Sequence, residues 1–140
     1  MSDPEATVFV VDDDPSVRRG LERLLRTAGH RVESFASARE FLERPEPDGP
    51  RCLVLDVRMP GQSGLDLHDR LVASGRDIPV IFITGHADVP MAVRAMKAGA
   101  VDFLSKPFDD AELLSAARQA LDRDHHRWAS RQRFGGDAPR

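Results

Sequence analysis

Val8-Phe9-Val10-Val11-Asp12-Asp13-Asp14 is a short apolar run that ends in three carboxylates. Leu53-Val54-Leu55-Asp56 repeats the pattern with a single acid. Runs of this length, closed by polar residues, read as buried strands. In a parallel sheet all strands point the same way, so residues just past their ends gather on one rim. Carboxylates crowded there repel one another unless a cation neutralises them. Hard oxygen ligands of this kind favour Mg2+.

Three further apolar runs, 32–35, 80–83 and 101–104, bring the total to five. The stretches between them carry helical spacing. Val17, Leu21, Leu24, Leu25 and Ala28 form the first, closed by Gly29, with Asp14 as its cap and Pro15 in its opening turn. Ser37 is expected to cap the second, with Glu40 completing a capping box. The breakers in Arg44-Pro-Glu-Pro-Asp-Gly-Pro50 make a loop. The third helix carries Leu65, Leu67 and Leu71 and stops at Gly75. The fourth carries Val93 and Met96 and stops at Gly99. The fifth carries Leu113, Leu114, Ala117 and Leu121. Alternating β-α units predict an α/β fold, a five-stranded parallel sheet with helices on both faces. Trp128 continues the seam of the fifth helix, but Asp124 and Arg131 interrupt it. The expectation is one domain over 1–124. A basic linker or tail over 125–140 begins as a frayed helical extension and ends disordered at Gly135-Gly136-Asp-Ala-Pro139.

A chain of 140 residues is one domain with room for a short tail. No apolar run approaches the length that crosses a membrane. Met-Ser-Asp-Pro-Glu at the start lacks the pattern of a signal peptide. Cys52 is the sole cysteine, which excludes an internal disulfide and fits a buried thiol in a reducing cytoplasm. Residues 125–140 carry Arg127, Arg131, Arg133 and Arg140 against Asp137. Residues 1–124 hold the other 16 basic and 22 acidic side chains, net −6. By charge, the globular part is a poor partner for nucleic acid.

The strand ends assemble a constellation. The first delivers Asp12 and Asp13, the third Asp56, the fourth Thr84 before Gly85, and the fifth Lys106 before Pro107. Singly these residues are ordinary caps, strand formers and solvated charges. Together they suit transfer of a phosphoryl group to a carboxylate, which makes an acyl phosphate. Such catalysis is mostly positioning and cationic charge. Asp56, alone on the central strand, is the natural nucleophile, and Asp12 and Asp13 are the natural metal holders.

Four stretches carry a family likeness: Val10-Val-Asp-Asp-Asp-Pro15, Leu55-Asp-Val-Arg-Met-Pro-Gly-Gln-Ser-Gly64, Ile83-Thr-Gly-His86 and Lys97-Ala-Gly-Ala-Val-Asp-Phe-Leu-Ser-Lys-Pro-Phe108. Through them the chain resembles a two-component response-regulator receiver domain, over about residues 6–124. The wording from Thr84 to Phe108 most resembles regulators that attach a LuxR-type helix-turn-helix domain. The resemblance implies the flavodoxin-like receiver fold and phosphorylation of Asp56 by a sensor histidine kinase. It implies Mg2+ held by Asp13, Asp56 and the Arg58 carbonyl, with Asp12 acting partly through water. It also implies Thr84 and Phe103 as a switch pair, Lys106 on the phosphoryl group, a cis Lys106–Pro107 bond, and a homodimer on phosphorylation. Phe103 stands where the family often has Tyr, which removes a hydroxyl and keeps the ring. Such a domain assists its own phosphorylation and dephosphorylation and is not an enzyme in the usual sense.

Two other readings compete. A haloacid-dehalogenase-type phosphatase also uses an Asp nucleophile, then Thr or Ser, then Lys. It needs a second Asp two residues after the nucleophile, where this chain has Arg58, and its metal acids follow the Lys. A stand-alone receiver competes with the truncated receiver of a DNA-binding regulator. The Arg-rich end favours the second, whose DNA reader would lie beyond Arg140. Asp14 is expected as a cap and not a ligand, and His86 as a loop residue beside the site. His30, His68, His125 and His126 are expected on the surface. Met91 and Met96 are expected to pack the fourth helix. Gly61-Gln-Ser-Gly64 follows Pro60 in a loop and is no dinucleotide fingerprint.

Overall fold

Each strand alternates its side chains between two faces, and each face must be covered. In the computed structural model, which describes residues 6–59, 61 and 63–130, both faces are covered by helices. The elements are β1 (Thr7–Val11), α1 (Pro15–Thr27), β2 (Arg31–Phe35), α2 (Ala38–Glu43), β3 (Arg51–Asp56), α3 (Gly64–Ala73), β4 (Val80–Thr84), α4 (Val89–Lys97), β5 (Asp102–Ser105) and α5 (Asp110–Ser130). The strands pair in parallel in the order β2-β1-β3-β4-β5. This strand order is flavodoxin-like, the fold that the family likeness implied.

Val8, Val10, Val54, Ile81 and Ile83 face one core, filled by Leu21 and Leu25 of α1 and Leu113 and Ala117 of α5. Phe9, Val11, Leu53, Leu55 and Phe82 face the other, filled by Phe41 of α2, Leu67 and Leu71 of α3 and Ala95 of α4. The central strands carry apolar residues on both faces because neither meets water. Cys52 is fully buried in the first core, and burial pushes its thiol pKa well up, so it packs as a small hydrophobe.

Local chemistry sets the helix ends. Asp14 accepts the Ser16 N–H at 2.8 Å and caps α1, as expected. Ser37 accepts the Glu40 N–H at 3.2 Å, while the Glu40 carboxylate takes the Ser37 hydroxyl at 3.3 Å. Gly29 (φ 95°) and Gly99 (φ 101°) follow α1 and α4 in the left-handed region that ends helices.

Three expectations are corrected. Val93 and Met96 of α4 do not pack inward: they are 45% and 47% exposed, and Ala95 and Met91 face the core instead. Their apolar spacing is real but lies on the outer side of the helix. His68 is buried, its ring edge-on to Phe82 at 5.4 Å, and burial lowers its pKa. Asp124 does not break the helical seam; it is buried and accepts the Arg51 main-chain N–H at 2.8 Å. Arg127 then bridges Asp124 at 3.5 Å and Asp77 at 3.1 Å, so α5 runs unbroken to Ser130. The expected disordered end, with Arg131 and Gly135, lies outside the described residues. No helix among the described residues is long and apolar enough to cross a membrane.

Candidate functional site

The register that pairs Val11 with Leu55, and Asp56 with Ile83, brings the strand ends level. Asp12, Asp13 and Asp56 therefore converge, each offering a carboxylate oxygen within 4.8 Å of the others. Asp12 is wholly buried, Asp56 nearly so, and Asp13 is exposed to the mouth. Lys106, carried by the turn after β5, places its ammonium 3.0 Å from Asp12 Oδ2 and 3.6 Å from Asp56 Oδ2. Its main-chain N–H donates to the Thr84 carbonyl at 2.7 Å, and the Lys106–Pro107 bond is cis, as the likeness implied. Thr84 ends β4 fully buried, and its hydroxyl oxygen accepts the His86 N–H at 3.2 Å.

Burial pushes the Asp56 carboxyl up to about 6, and repulsion from Asp12 adds to it. The Lys106 ammonium and the Arg58 N–H, 3.2 Å from Asp56 Oδ1, act in the opposite sense. Burial and repulsion win, so the site is short of positive charge. Three clustered oxygen donors with too little counter-charge are the setting in which a divalent cation binds.

The other candidates fall into place. Asp14 is engaged as the α1 cap and is not in the acid cluster. His86 is exposed and meets Thr84 through its backbone. His30 is half-buried, and His125 and His126 are exposed on α5. Phe103 is half-buried on β5, its ring 6.4 Å from that of Phe82. It sits two residues before Ser105, the strand partner of Thr84.

Two site residues escaped the sequence reading. Arg18, one turn into α1, donates from Nη1 to the Asp12 carbonyl at 2.7 Å. Gly64 opens α3, donates its N–H to the Val57 carbonyl at 2.8 Å, and lies against the Asp56 backbone. A Cβ there would stand 2.3 Å from the Asp56 carbonyl oxygen, a backbone atom that cannot swing aside. Gly64→Ala should therefore destabilise the fold by about 1–3 kcal/mol, the range for overpacking a well-filled site. Urea unfolding measures this, and an unchanged midpoint would show that the β3–α3 loop yields freely.

Residues 8–118 match the response regulator receiver domain family. The chain belongs to that family. Nodulation protein W of Bradyrhizobium diazoefficiens is 58% identical over 123 residues, covering 88% of this chain and 54% of the relative. Transcriptional regulatory protein FixJ of Azorhizobium caulinodans is 52% identical over 116 residues, covering 83% of this chain and 55% of the relative. This receiver domain thus spans about half the length of the curated relatives it matches. The solved structure of response regulator StyR superposes with a TM-score of 0.88 at 52% identity, covering 95% of this chain and 67% of that one. The crystal structure of FixJ-N gives 0.78 at 44% identity, covering 85% and 95%. The receiver is therefore that of a two-component response regulator, with transcriptional regulators among its relatives.

Proposed function

We propose that this receiver is a phosphorylation-operated switch, with Asp56 accepting a phosphoryl group from the phosphohistidine of a sensor kinase. The observation that carries the reading is Asp56 itself, a buried carboxylate that shares the Lys106 ammonium with Asp12 at one sheet rim. An Asp56 oxygen forms the new O–P bond as the donor's P–N bond breaks, leaving an acyl phosphate. Lys106 supplies fixed positive charge to the transferring group, and the Thr84 hydroxyl donates to it. The donor set fits Mg2+: Asp12, Asp13 and Asp56 offer hard oxygens, and the family likeness adds the Arg58 carbonyl. The bound ion would neutralise charge on the carboxylates and on the phosphoryl oxygens.

In this reading Thr84 reports the new group by drawing its loop inward, and the Phe103 ring takes a more buried rotamer. Phe103 packs against the same core as Ala95 of α4, whose Val89, Val93 and Met96 are exposed. New charge contacts bias an existing equilibrium towards a form that dimerises through α4, β5 and α5. Sedimentation with and without a phosphoryl mimic should show the shift, and Thr84→Ala should abolish it. A monomer in both states would remove dimerisation as the output.

The output in this reading is transcriptional, through an effector of LuxR type joined after the receiver, and the protein works in the cytoplasm. The 140 residues alone should show no sequence-specific DNA binding, since residues 1–124 are net −6 and phosphorylation lowers that further. The receiver's chemistry is self-modification and not turnover of a separate substrate. Mass spectrometry after treatment with Mg2+ and acetyl phosphate tests the core of the reading. One phosphoryl group should appear on the peptide containing Asp56; labelling on any other peptide would overturn it.

A further inference from the structure

We propose that Arg18 is a positioning residue for the metal-holding acids, acting through the peptide that joins Asp12 to Asp13. The inference rests on the reading of Asp12, Asp13 and Asp56 as a cation site. Each polar group of Asp12 has its own partner. Its N–H donates to the Phe35 carbonyl at 3.2 Å, which ties it to β2. Its Oδ1 accepts the Asp14 N–H at 2.9 Å, and its Oδ2 faces the Lys106 ammonium at 3.0 Å. Its carbonyl accepts from Arg18 Nη1 at 2.7 Å. Lys106 and Asp14 fix the side chain; Arg18 fixes the plane of the following peptide.

That plane decides where Asp13 points. Asp13 is exposed, and among the described residues no hydrogen bond or ion pair holds its carboxylate. It reaches the cluster because of its backbone alone. Arg18 is half-buried, planar, permanently charged and rooted in the second turn of a well-packed helix, so its fork is a rigid anchor. Outlying hydrogen bonds that orient metal ligands commonly matter about 10–100-fold in metal affinity.

The charge of Arg18 pulls the other way, which makes the proposal testable by sign. A cation beside the acids repels Mg2+, so if Arg18 acted only through charge, its removal would tighten Mg2+ binding. If it positions Asp13, its removal loosens binding. Arg18→Met keeps the apolar stem and removes both donor and charge; Arg18→Lys keeps a donor and the charge. Calorimetric titration with MgCl2 should give an affinity about tenfold weaker for Arg18→Met and near the parent value for Arg18→Lys. Urea unfolding in EDTA checks that both variants fold. An unchanged or tighter Mg2+ affinity in Arg18→Met overturns the proposal. Should Arg18→Met not fold, Arg18→Gln decides, since it removes the charge and shortens the side chain that reaches the Asp12 carbonyl: weaker Mg2+ binding supports positioning, and unchanged or tighter binding refutes it. Failure of the underlying reading looks different, because then the parent protein itself binds no Mg2+.

Discussion

Asp56→Asn should lose all phosphoryl incorporation and yet fold more stably than the parent protein when Mg2+ is withheld. Loss of the nucleophile needs little argument, since an amide oxygen forms no stable acyl phosphate. The stability gain follows from the site's electrostatics. In the folded protein the Asp56 carboxyl is pushed up to about 6, above the ordinary 3.8, first by burial and then by Asp12. A carboxyl whose folded pKa is raised binds its proton more tightly folded than unfolded. Its contribution is intact below about pH 4 and is lost as pH rises through about 6. At pH 7 the fold therefore carries a charge it disfavours, at a cost of about 1–3 kcal/mol. Asn is isosteric with the neutral acid and removes that cost. Urea unfolding in EDTA should show the variant ahead at pH 7 and level with the parent near pH 4. Saturating Mg2+ should narrow the gap at pH 7, because the ion stabilises the charged parent more than the amide. A variant less stable than the parent at pH 7 without metal would mean that Lys106 already satisfies the acid cluster.

The rim was legible because a parallel sheet leaves little freedom. Once Val8–Val11 and Leu53–Leu55 read as strands, Asp12 and Asp56 had to emerge on the same edge, and the strand ends at Thr84 and Lys106 had to join them. Arg18 and Gly64 were not legible for a different reason. Each acts on a main-chain carbonyl, of Asp12 and of Asp56 respectively, and a carbonyl leaves no signature in residue type. A glycine at the start of one helix and an arginine on another are unremarkable until the chain closes on itself.

The misplaced expectations share a cause as well. Residue type put His68 on the surface and made Asp124 an interruption of the α5 seam, but the fold gives each a specific neighbour, the Phe82 ring for His68 and the Arg51 N–H for Asp124. Burial of a polar residue is decided by such a partner, found only in three dimensions. For α4 the failure was one of phase. Val93 and Met96 mark an apolar stripe, yet periodicity alone does not say which stripe faces the sheet. Small Ala95 takes the inner position, leaving the larger residues outside, on the face assigned above to a partner.

Adjacent acids with opposite duties offer the sharpest dissection of the site. Asp13→Ala should weaken Mg2+ binding on the order of a hundredfold, about 2.7 kcal/mol, while leaving metal-free stability unchanged or slightly raised. The exposed Asp13 carboxylate contributes no hydrogen bond among the described residues, and its removal relieves repulsion with Asp56. Asp14→Ala should do the reverse. It removes the acceptor for the Ser16 N–H, costing about 1 kcal/mol of helix stability. Its own main-chain N–H to Asp12 Oδ1 survives the substitution, so Mg2+ affinity should stay within about twofold of the parent. Calorimetric titration gives the affinities and urea unfolding in EDTA gives the stabilities. The crossed pattern is the point of the experiment. A merely structural role for both acids predicts losses of stability in both variants, and two ligands predict losses of affinity in both. Only a ligand beside a cap predicts one of each, and a comparable loss of Mg2+ affinity in Asp14→Ala would make Asp14 a ligand despite its bond to Ser16.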